Sequence, residues 1–147
     1  MFVGGGCAID TAKQIKYFAC NEFKNISEKD SKASIPHIAF PTTAGTGAEC
    51  TQFAECYVDG VNTSISNPNF LPNKVIACPC FTYDNDSYLT ACTGFDALAQ
   101  AFETYWSVNA TAEFDFYALK IIRLAHTDLP LLIEEIKKRM QKRASIL

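Results

Sequence analysis

Residues 2–13, with the sequence FVGGGCAIDTAK, contain the clearest structural signal in this chain. Phe2 and Val3 look like the end of a buried strand, and apolar residues from Ile9 to about Ala19 recur at helical spacing. The glycines between them would let the backbone approach an anion closely, and the free N–H groups of a helix start would point at it. This order predicts a phosphate cradle. A plain strand-to-helix turn is the alternative, and it is the more frequent meaning of a glycine triplet alone.

Composition and charge narrow the class of protein. The chain has 147 residues, of which 48% are hydrophobic and 20% charged, so it has enough apolar material for one domain with a real core. A net charge of −3 gives no general electrostatic reason to bind nucleic acid or an anionic membrane, and no apolar run approaches a membrane span. With no visible export signal, the odd number of seven cysteines predicts free thiols in a reducing cytoplasm.

A second polar stretch follows the short buried strand that we predict at residues 35–41. Residues 42–49, TTAGTGAE, place three hydroxyls and two glycines directly after that strand. In an open α/β sheet, ligands bind at the carboxyl ends of the strands, so Thr42, Thr43 and Thr46 are candidates for contacting a phosphate or a sugar. A turn whose threonine hydroxyls satisfy their own backbone is the alternative.

The rest of the first half predicts short strands and turns. Residues 53–58 and 61–66 read as two strands joined by a hairpin turn at Asp59-Gly60. Residues 74–78 read as one more strand, and residues 21–34 as a polar surface loop. His37, which has no evident partner, is predicted to be structural or on the surface.

Cys78-Pro79-Cys80 and Cys92 form the one cysteine cluster that suggests a metal or redox site. Cys78-Pro79-Cys80 fits neither a zinc ribbon nor a Cys-x-x-Cys pair, which favours buried free thiols.

From about residue 81 helical patterning dominates, and it contains one candidate metal pair. Asp96 and Gln100 lie four residues apart, so both project from one face of the predicted helix. A carboxylate with a second ligand one turn later is a common way to hold a divalent metal on a helix. Asp96 is a suitable ligand, whereas the neutral amide of Gln100 offers neither an imidazole nitrogen nor a charge.

Three ordered motifs resemble the iron-containing (group III) alcohol dehydrogenase family. Residues 4–13, GGGCAIDTAK, resemble that family's GGGSxxDxAK motif. Residues 41–49, PTTAGTGAE, resemble its PTTAGTGSE segment, and residues 94–103, GFDALAQAFE, resemble its GMDALxHAxE helix. The run YWSVN at residues 105–109 is similar to the phosphonoacetaldehyde-reductase-like branch. One such motif would be weak, but three in order at compatible spacing identify the family.

The resemblance implies a fold and a domain order. Residues 1–80 would be the α/β N-terminal part, an incomplete NAD(P)-binding domain, and residues 81–147 an all-α part that begins a helical metal-binding domain. This is the dehydroquinate-synthase-like, iron-dependent alcohol dehydrogenase architecture in a truncated form. The family's opening strands, and two further histidine ligands on later helices, are expected outside this chain. A missing strand would leave an open sheet edge, so we expect either a homo-oligomer or a complementing fragment.

The resemblance also implies an activity and its site residues. The expected reaction is cytoplasmic hydride transfer between NAD or NADP and a small-molecule alcohol or aldehyde, assisted by Fe²⁺ or Zn²⁺. By match to the family motifs, the cofactor-binding residues would be Gly5, Gly6, Cys7 and Asp10 near the pyrophosphate, with Thr42, Thr43 and Thr46 near the phosphate, ribose or nicotinamide.

One departure from the family pattern bears on the metal. Gln100 stands where the family has its first histidine ligand, which leaves Asp96 as the one good metal ligand in a site that usually needs three or four. We therefore predict that this chain alone binds Fe²⁺ or Zn²⁺ weakly or not at all. Two alternatives to a dehydrogenase remain open. One is a metal-deficient, non-catalytic remnant that at most binds nucleotide, and the other is an interaction module that uses an exposed helical face.

Overall fold

The computed structural model describes residues 1–20 and 35–144, which fall into two compact units. The first unit comprises Met1–Thr43 and Gly47–Thr82, and the second comprises Ala44–Thr46 and Tyr83–Leu147. The surface loop predicted at residues 21–34 lies outside the described residues. No helix in the described ranges is long and apolar enough to cross a membrane.

In the part of the chain that the structure describes, the first unit combines one α-helix with two small sheets. Its elements are β1 (Phe2–Gly4), α1 (Gly6–Cys20), β2 (Ile38–Pro41), β3 (Phe53–Val58), β4 (Val61–Ser66) and β5 (Lys74–Val75). Within the described residues, β1, β2 and β5 form a parallel sheet in the order β1-β2-β5. The register pairs Gly4 with Pro41, so the carboxyl ends of β1 and β2 lie level with each other.

β3 and β4 form the predicted antiparallel hairpin, with register from Phe53↔Ser66 to Val58↔Val61. The turn residues Asp59 and Gly60 have φ angles of 51° and 80°. Positive φ at both central residues is what a two-residue turn of this twist requires, and Asp-Gly tolerates it. The hairpin predicted from the sequence is therefore confirmed.

One face of α1 packs into the core of the first unit. Ile9 and Tyr17 are buried on this face. Tyr17 packs with Ala54 of β3 and with Phe70, and the Tyr17 and Phe70 rings meet edge-on with centroids 5.7 Å apart. The helix is where the periodicity predicts it, but the buried face is only partly the predicted one, because Ile15 is 59% exposed whereas Lys13 and Lys16 are buried.

The second unit is a helical hairpin of α2 (Ser87–Trp106) and α3 (Ala112–Ala144). Asp86 caps α2, since its carboxylate accepts a 2.7 Å hydrogen bond from the Leu89 amide. The two helices approach closely at Gly94, where an added Cβ would lie 2.5 Å from Cδ1 of Leu129. Small residues on α2 therefore allow α3 to pack against its backbone.

The predicted fold class is confirmed, because the described chain has an α/β part followed by helices.

The expectation of free thiols at Cys78 and Cys80 is wrong, since the structure joins these two residues in a disulfide. The short 3-10 turn at Pro79–Phe81 brings their Cα atoms to 5.2 Å, within the usual range for such a bond. The spacing rules for metal sites and for Cys-x-x-Cys pairs do not consider a disulfide between cysteines two residues apart, so they did not predict this bond. The described cysteines Cys7, Cys50, Cys56 and Cys92 are free.

Candidate functional site

The glycine motif and the threonine motif meet at the carboxyl edge of the parallel sheet. The Thr42 amide donates a 3.0 Å hydrogen bond to the carbonyl oxygen of Gly4, which continues the β1–β2 pairing past the strand ends. An added Cβ on Gly5 would lie 3.1 Å from Oγ1 of Thr43. Residues 38 positions apart in the sequence thus form one continuous edge.

Close packing explains the glycines at the start of α1. A Cβ on Gly4 would lie 2.6 Å from Cβ of Ala8, so any side chain at this position would displace the first turn of α1. The helix begins at Gly6, directly after Gly5, and the first-turn amides of a helix have no acceptor inside it. These amides and the positive end of the helix dipole lie at the same edge as Thr43.

This edge fits a phosphate group. A side chain at Gly5 would fill the space beside the Thr43 hydroxyl, so glycine keeps both the amides and the hydroxyl within reach of one ligand. Cys7 is exposed in the first turn of α1. Thr46 belongs to the second unit.

Asp10 is engaged with its own protein in the structure. One carboxylate oxygen accepts from Nζ of Lys13 at 3.1 Å, and the other accepts from the Glu55 amide at 3.2 Å. Nζ of Lys13 also donates to the Thr51 hydroxyl at 3.3 Å and to the carbonyl oxygen of Phe53. Asp10 and Lys13 therefore tie α1 to the start of β3, and a contact between Asp10 and a cofactor stays a prediction.

Lys13 is the residue that sequence reasoning missed. Its side chain is 0% exposed, although a lysine on a short helix is ordinarily at the surface. The available signal was the spacing of Asp10 and Lys13, which places opposite charges on one face of α1. Spacing alone could not reveal that the pair would be covered by β3.

Asp96 and Gln100 both lie on α2, where Asp96 is partly buried and Gln100 is exposed. Across residues 1–20 and 35–144, no group of three or more His, Cys, Asp or Glu side chains is placed to hold a metal ion. A carboxylate and an amide one helical turn apart supply fewer ligands than a stable Fe²⁺ or Zn²⁺ site uses. The residues present here do not fit the metal of the family.

His37 lies away from this edge, because it precedes β2 while Thr42 follows it. The residue is 2% exposed, and neither ring nitrogen has a hydrogen-bond partner within the described ranges. Burial, followed by the charges of Lys16, the chain amino group and Lys13, lowers the pKa of His37 from 6.5 to about 4. Its ring contacts Phe2 edge-on, with centroids 5.5 Å apart, which agrees with the predicted structural role.

Comparison with known proteins points to one family. The model of the family "Iron-containing alcohol dehydrogenase" matches residues 3–79. The probable alcohol dehydrogenase EutG of Escherichia coli is 33% identical over 133 residues, which are 86% of this chain and 34% of that protein. Long-chain-alcohol dehydrogenase 1 of Geobacillus thermodenitrificans is 34% identical over 134 residues, again 86% of this chain and 34% of that protein.

A solved structure gives the same result for the fold. Sulfoacetaldehyde reductase from Bifidobacterium kashiwanohense, crystallised with NAD⁺, matches with a TM-score of 0.83 and 31% identity. The match covers 90% of this chain and 38% of that chain. The chain spans about a third of the length of the curated relatives it matches. Because the family model matches more than half of the sequence and includes both the glycine and the threonine motifs, this chain belongs to the iron-containing alcohol dehydrogenase family.

Proposed function

We propose that this chain is the cofactor-binding part of an alcohol dehydrogenase or aldehyde reductase that uses NAD or NADP. The observation that carries the proposal is that a Cβ added to Gly5, at the start of α1, would lie 3.1 Å from Oγ1 of Thr43. It places helix N-terminal amides and a hydroxyl at the sheet edge where α/β proteins bind dinucleotides. In this proposal residues 1–80 hold the cofactor and residues 81–147 begin the helical domain.

The chain's own groups would bind and orient the cofactor. The amides of Gly6 and Cys7 would hold the pyrophosphate, which the positive end of the α1 dipole favours. Oγ1 of Thr43 would donate to the same phosphate, while Thr42 and Thr46 would contact the phosphate, ribose or nicotinamide. The bound nicotinamide would supply or accept the hydride exchanged with a small-molecule alcohol or aldehyde.

A second candidate function is a nucleotide-binding protein without turnover. The observation that favours it is Gln100 at the family's histidine position, together with the poor fit of this helix to a metal. A metal contributes several kcal/mol of transition-state stabilisation by polarising the substrate oxygen, and a chain without it would lose that help. Both candidates share the same cofactor edge, so nucleotide binding tests them together and turnover separates them.

The test is a titration of the purified chain with NADH and with NADPH, in which the fluorescence of the reduced nucleotide reports binding. We expect saturable binding that weakens at least tenfold in Gly5→Val, because the new side chain would occupy the space beside Thr43. Ser64→Val adds a β-branched side chain at an exposed position of β4 and serves as the matched control. Lack of saturable binding by the unaltered chain would refute both candidates.

Turnover is then assayed with NAD⁺ or NADP⁺ and a panel of alcohols, in the presence of Fe²⁺ or Zn²⁺. Nucleotide oxidation state is followed by absorbance. Turnover by this chain would support the dehydrogenase, and binding without turnover would support the non-catalytic protein.

We also propose a cytoplasmic location, which fractionation of the source cells and detection of the protein with a specific antibody would test.

A further inference from the structure

A disulfide closes the turn that follows the last strand of the parallel sheet. Cys78 lies shortly after β5, and its bond to Cys80 spans only Pro79, because the two cysteines are 2 positions apart in the sequence. Cys80 is exposed and Cys78 is half-buried. The bond is therefore within reach of a reductant in solution.

The closed turn holds an aromatic side chain against the strand that leads into the threonine motif. The Phe81 amide donates a 3.0 Å hydrogen bond to the carbonyl oxygen of Cys78, which fixes the 3-10 turn. The Phe81 ring meets the ring of Phe40 edge-on, with centroids 5.9 Å apart. Phe40 belongs to β2, and Thr42 and Thr43 follow directly after that strand. The disulfide, the turn and the cofactor edge are thus linked by contacts within the first unit.

Two physical properties favour a reversible disulfide over a permanent structural one. The stabilisation that a disulfide gains from loop closure grows with the number of residues in the loop, and the Cys78–Cys80 loop is very short. An exposed disulfide also belongs to the labile or regulatory class, because reductants can reach it. In the cytoplasmic location proposed above, disulfides are usually transient. The Cys78–Cys80 bond therefore fits a regulatory role.

We propose that the Cys78–Cys80 disulfide is a redox switch that sets the affinity of the cofactor edge for nucleotide. This inference rests on the proposed function, because the affinity that changes is that for NADH or NADPH. The oxidised form holds Phe81 on Phe40 and thereby keeps Thr43 in position before the nucleotide arrives. In the reduced form the turn loses its covalent closure, so nucleotide binding must also order this turn, which lowers the affinity.

The switching step is thiol–disulfide exchange with a dithiol reductant. A thiolate of the reductant attacks Sγ of the exposed Cys80, which forms a mixed disulfide and releases the Cys78 thiolate. The second thiol of the reductant then attacks the reductant sulfur of that mixed disulfide, which closes the reductant's own disulfide and releases the Cys80 thiolate. The two protons of the dithiol end on the two cysteines, and two electrons pass from the reductant to the protein. A disulfide oxidant reverses both steps by the same exchange.

The test compares the oxidised and reduced forms of the full chain. Oxidised glutathione and dithiothreitol prepare the two forms, and alkylation with peptide mass spectrometry verifies the state of Cys78 and Cys80. Each form is then titrated with NADH, whose fluorescence reports binding. We expect the Kd to rise about three- to tenfold on reduction, the effect of having to order one more side chain on binding, and to return on reoxidation.

Three variants separate the switch from other effects of reduction. The double variant Cys78→Ser with Cys80→Ser should bind NADH with the Kd of the reduced form and should not respond to dithiothreitol. Phe81→Ala removes the contact with Phe40, so it should raise the Kd of the oxidised form and diminish the response to reduction. Cys92→Ser removes an exposed thiol of α2 and is the matched control, which should keep the full response.

Hydrogen exchange provides a readout without nucleotide. In the free chain, reduction should speed the exchange of the Thr42 amide, which donates to the carbonyl oxygen of Gly4. Unchanged exchange, equal Kd values for the two forms, a response that persists in the double serine variant, or a chain that does not form the Cys78–Cys80 bond would each overturn the switch and leave the proposed function intact. Absence of NADH binding by both forms would refute the proposed function, and the switch with it.

Discussion

Replacing Asp10 with Ala would remove the counter-charge of a lysine that has no access to water. Nζ of Lys13 is 0% exposed and has three acceptors, of which only the Asp10 carboxylate is charged. Removing one partner of a buried ion pair costs about 3–5 kcal/mol, because the remaining charge is left uncompensated. Two neutral acceptors remain for Lys13, which places the expected loss near ~3 kcal/mol.

This loss is a large part of the ~5–15 kcal/mol that stabilises an ordinary domain. It corresponds to a fall of ~1.5 M in the urea midpoint for a slope of about 2 kcal/mol per molar. The assay is urea unfolding followed by circular dichroism, with alkylation of the Cys56 thiol on β3 as a local probe of the first unit.

Two further variants isolate the cause. Asp10→Asn keeps a neutral acceptor for Lys13 and should lose about 1–2 kcal/mol less than Asp10→Ala. The double variant Asp10→Leu with Lys13→Met removes both charges, while the Glu55 amide loses its acceptor in both this variant and Asp10→Ala, so the double variant should be destabilised by about 1–2 kcal/mol less than Asp10→Ala. If Asp10→Ala and the double variant are equally destabilised, the loss does not come from an unpaired lysine and the reasoning is wrong.

Three other perturbations follow from the described geometry. Gly45→Ala should lower the melting temperature more than Gly47→Ala, because a Cβ at Gly45 would lie 2.3 Å from the Thr93 carbonyl oxygen. A Cβ at Gly47 would meet open space, so its only cost is the strain of a φ angle of 63°. Equal melting temperatures of the two variants would contradict this reasoning. Because His37 has a folded pKa of about 4 and an unfolded pKa of 6.5, the unfolded chain binds more protons between these values, and stability should fall as pH drops through this window by at most about 3 kcal/mol. Urea midpoints of the unaltered chain and of His37→Phe check this, and parallel pH profiles would refute it. Gln100→His should raise the affinity for Zn²⁺ without giving full dehydrogenase activity, and titration calorimetry that finds no gain would show that other missing ligands limit binding.

The short-range features of this fold were readable from the sequence because neighbouring residues determine them. The Asp59-Gly60 turn needs positive φ at two positions, and few other dipeptides supply it at low cost. The Asp86 cap and the glycine turn before α1 likewise depend on residues within one helical turn. Three family motifs in order then predicted the fold class of the whole chain.

The candidate site could be predicted only in part. Motif order suggested that Gly5 and Thr43 serve one ligand, and the parallel pairing of β1 with β2 places Thr43 beside the space that a side chain on Gly5 would fill. Asp10 looked like a ligand-facing carboxylate, yet its oxygens contact Lys13 and the Glu55 amide. The partner on β3 lies 45 positions away, a distance at which spacing rules carry no information.

The sequence by itself determined the family, the hairpin and the order of an α/β part followed by helices, since these depend on residue identity and local spacing. Tertiary structure alone decided that Lys13 is buried, that Cys78 and Cys80 are joined, and that Phe95 and Trp106 of α2 are exposed. The physical reason is that burial is a property of what packs against a residue. A helical pattern shows which residues share a face, and only the assembled fold shows whether another element covers that face.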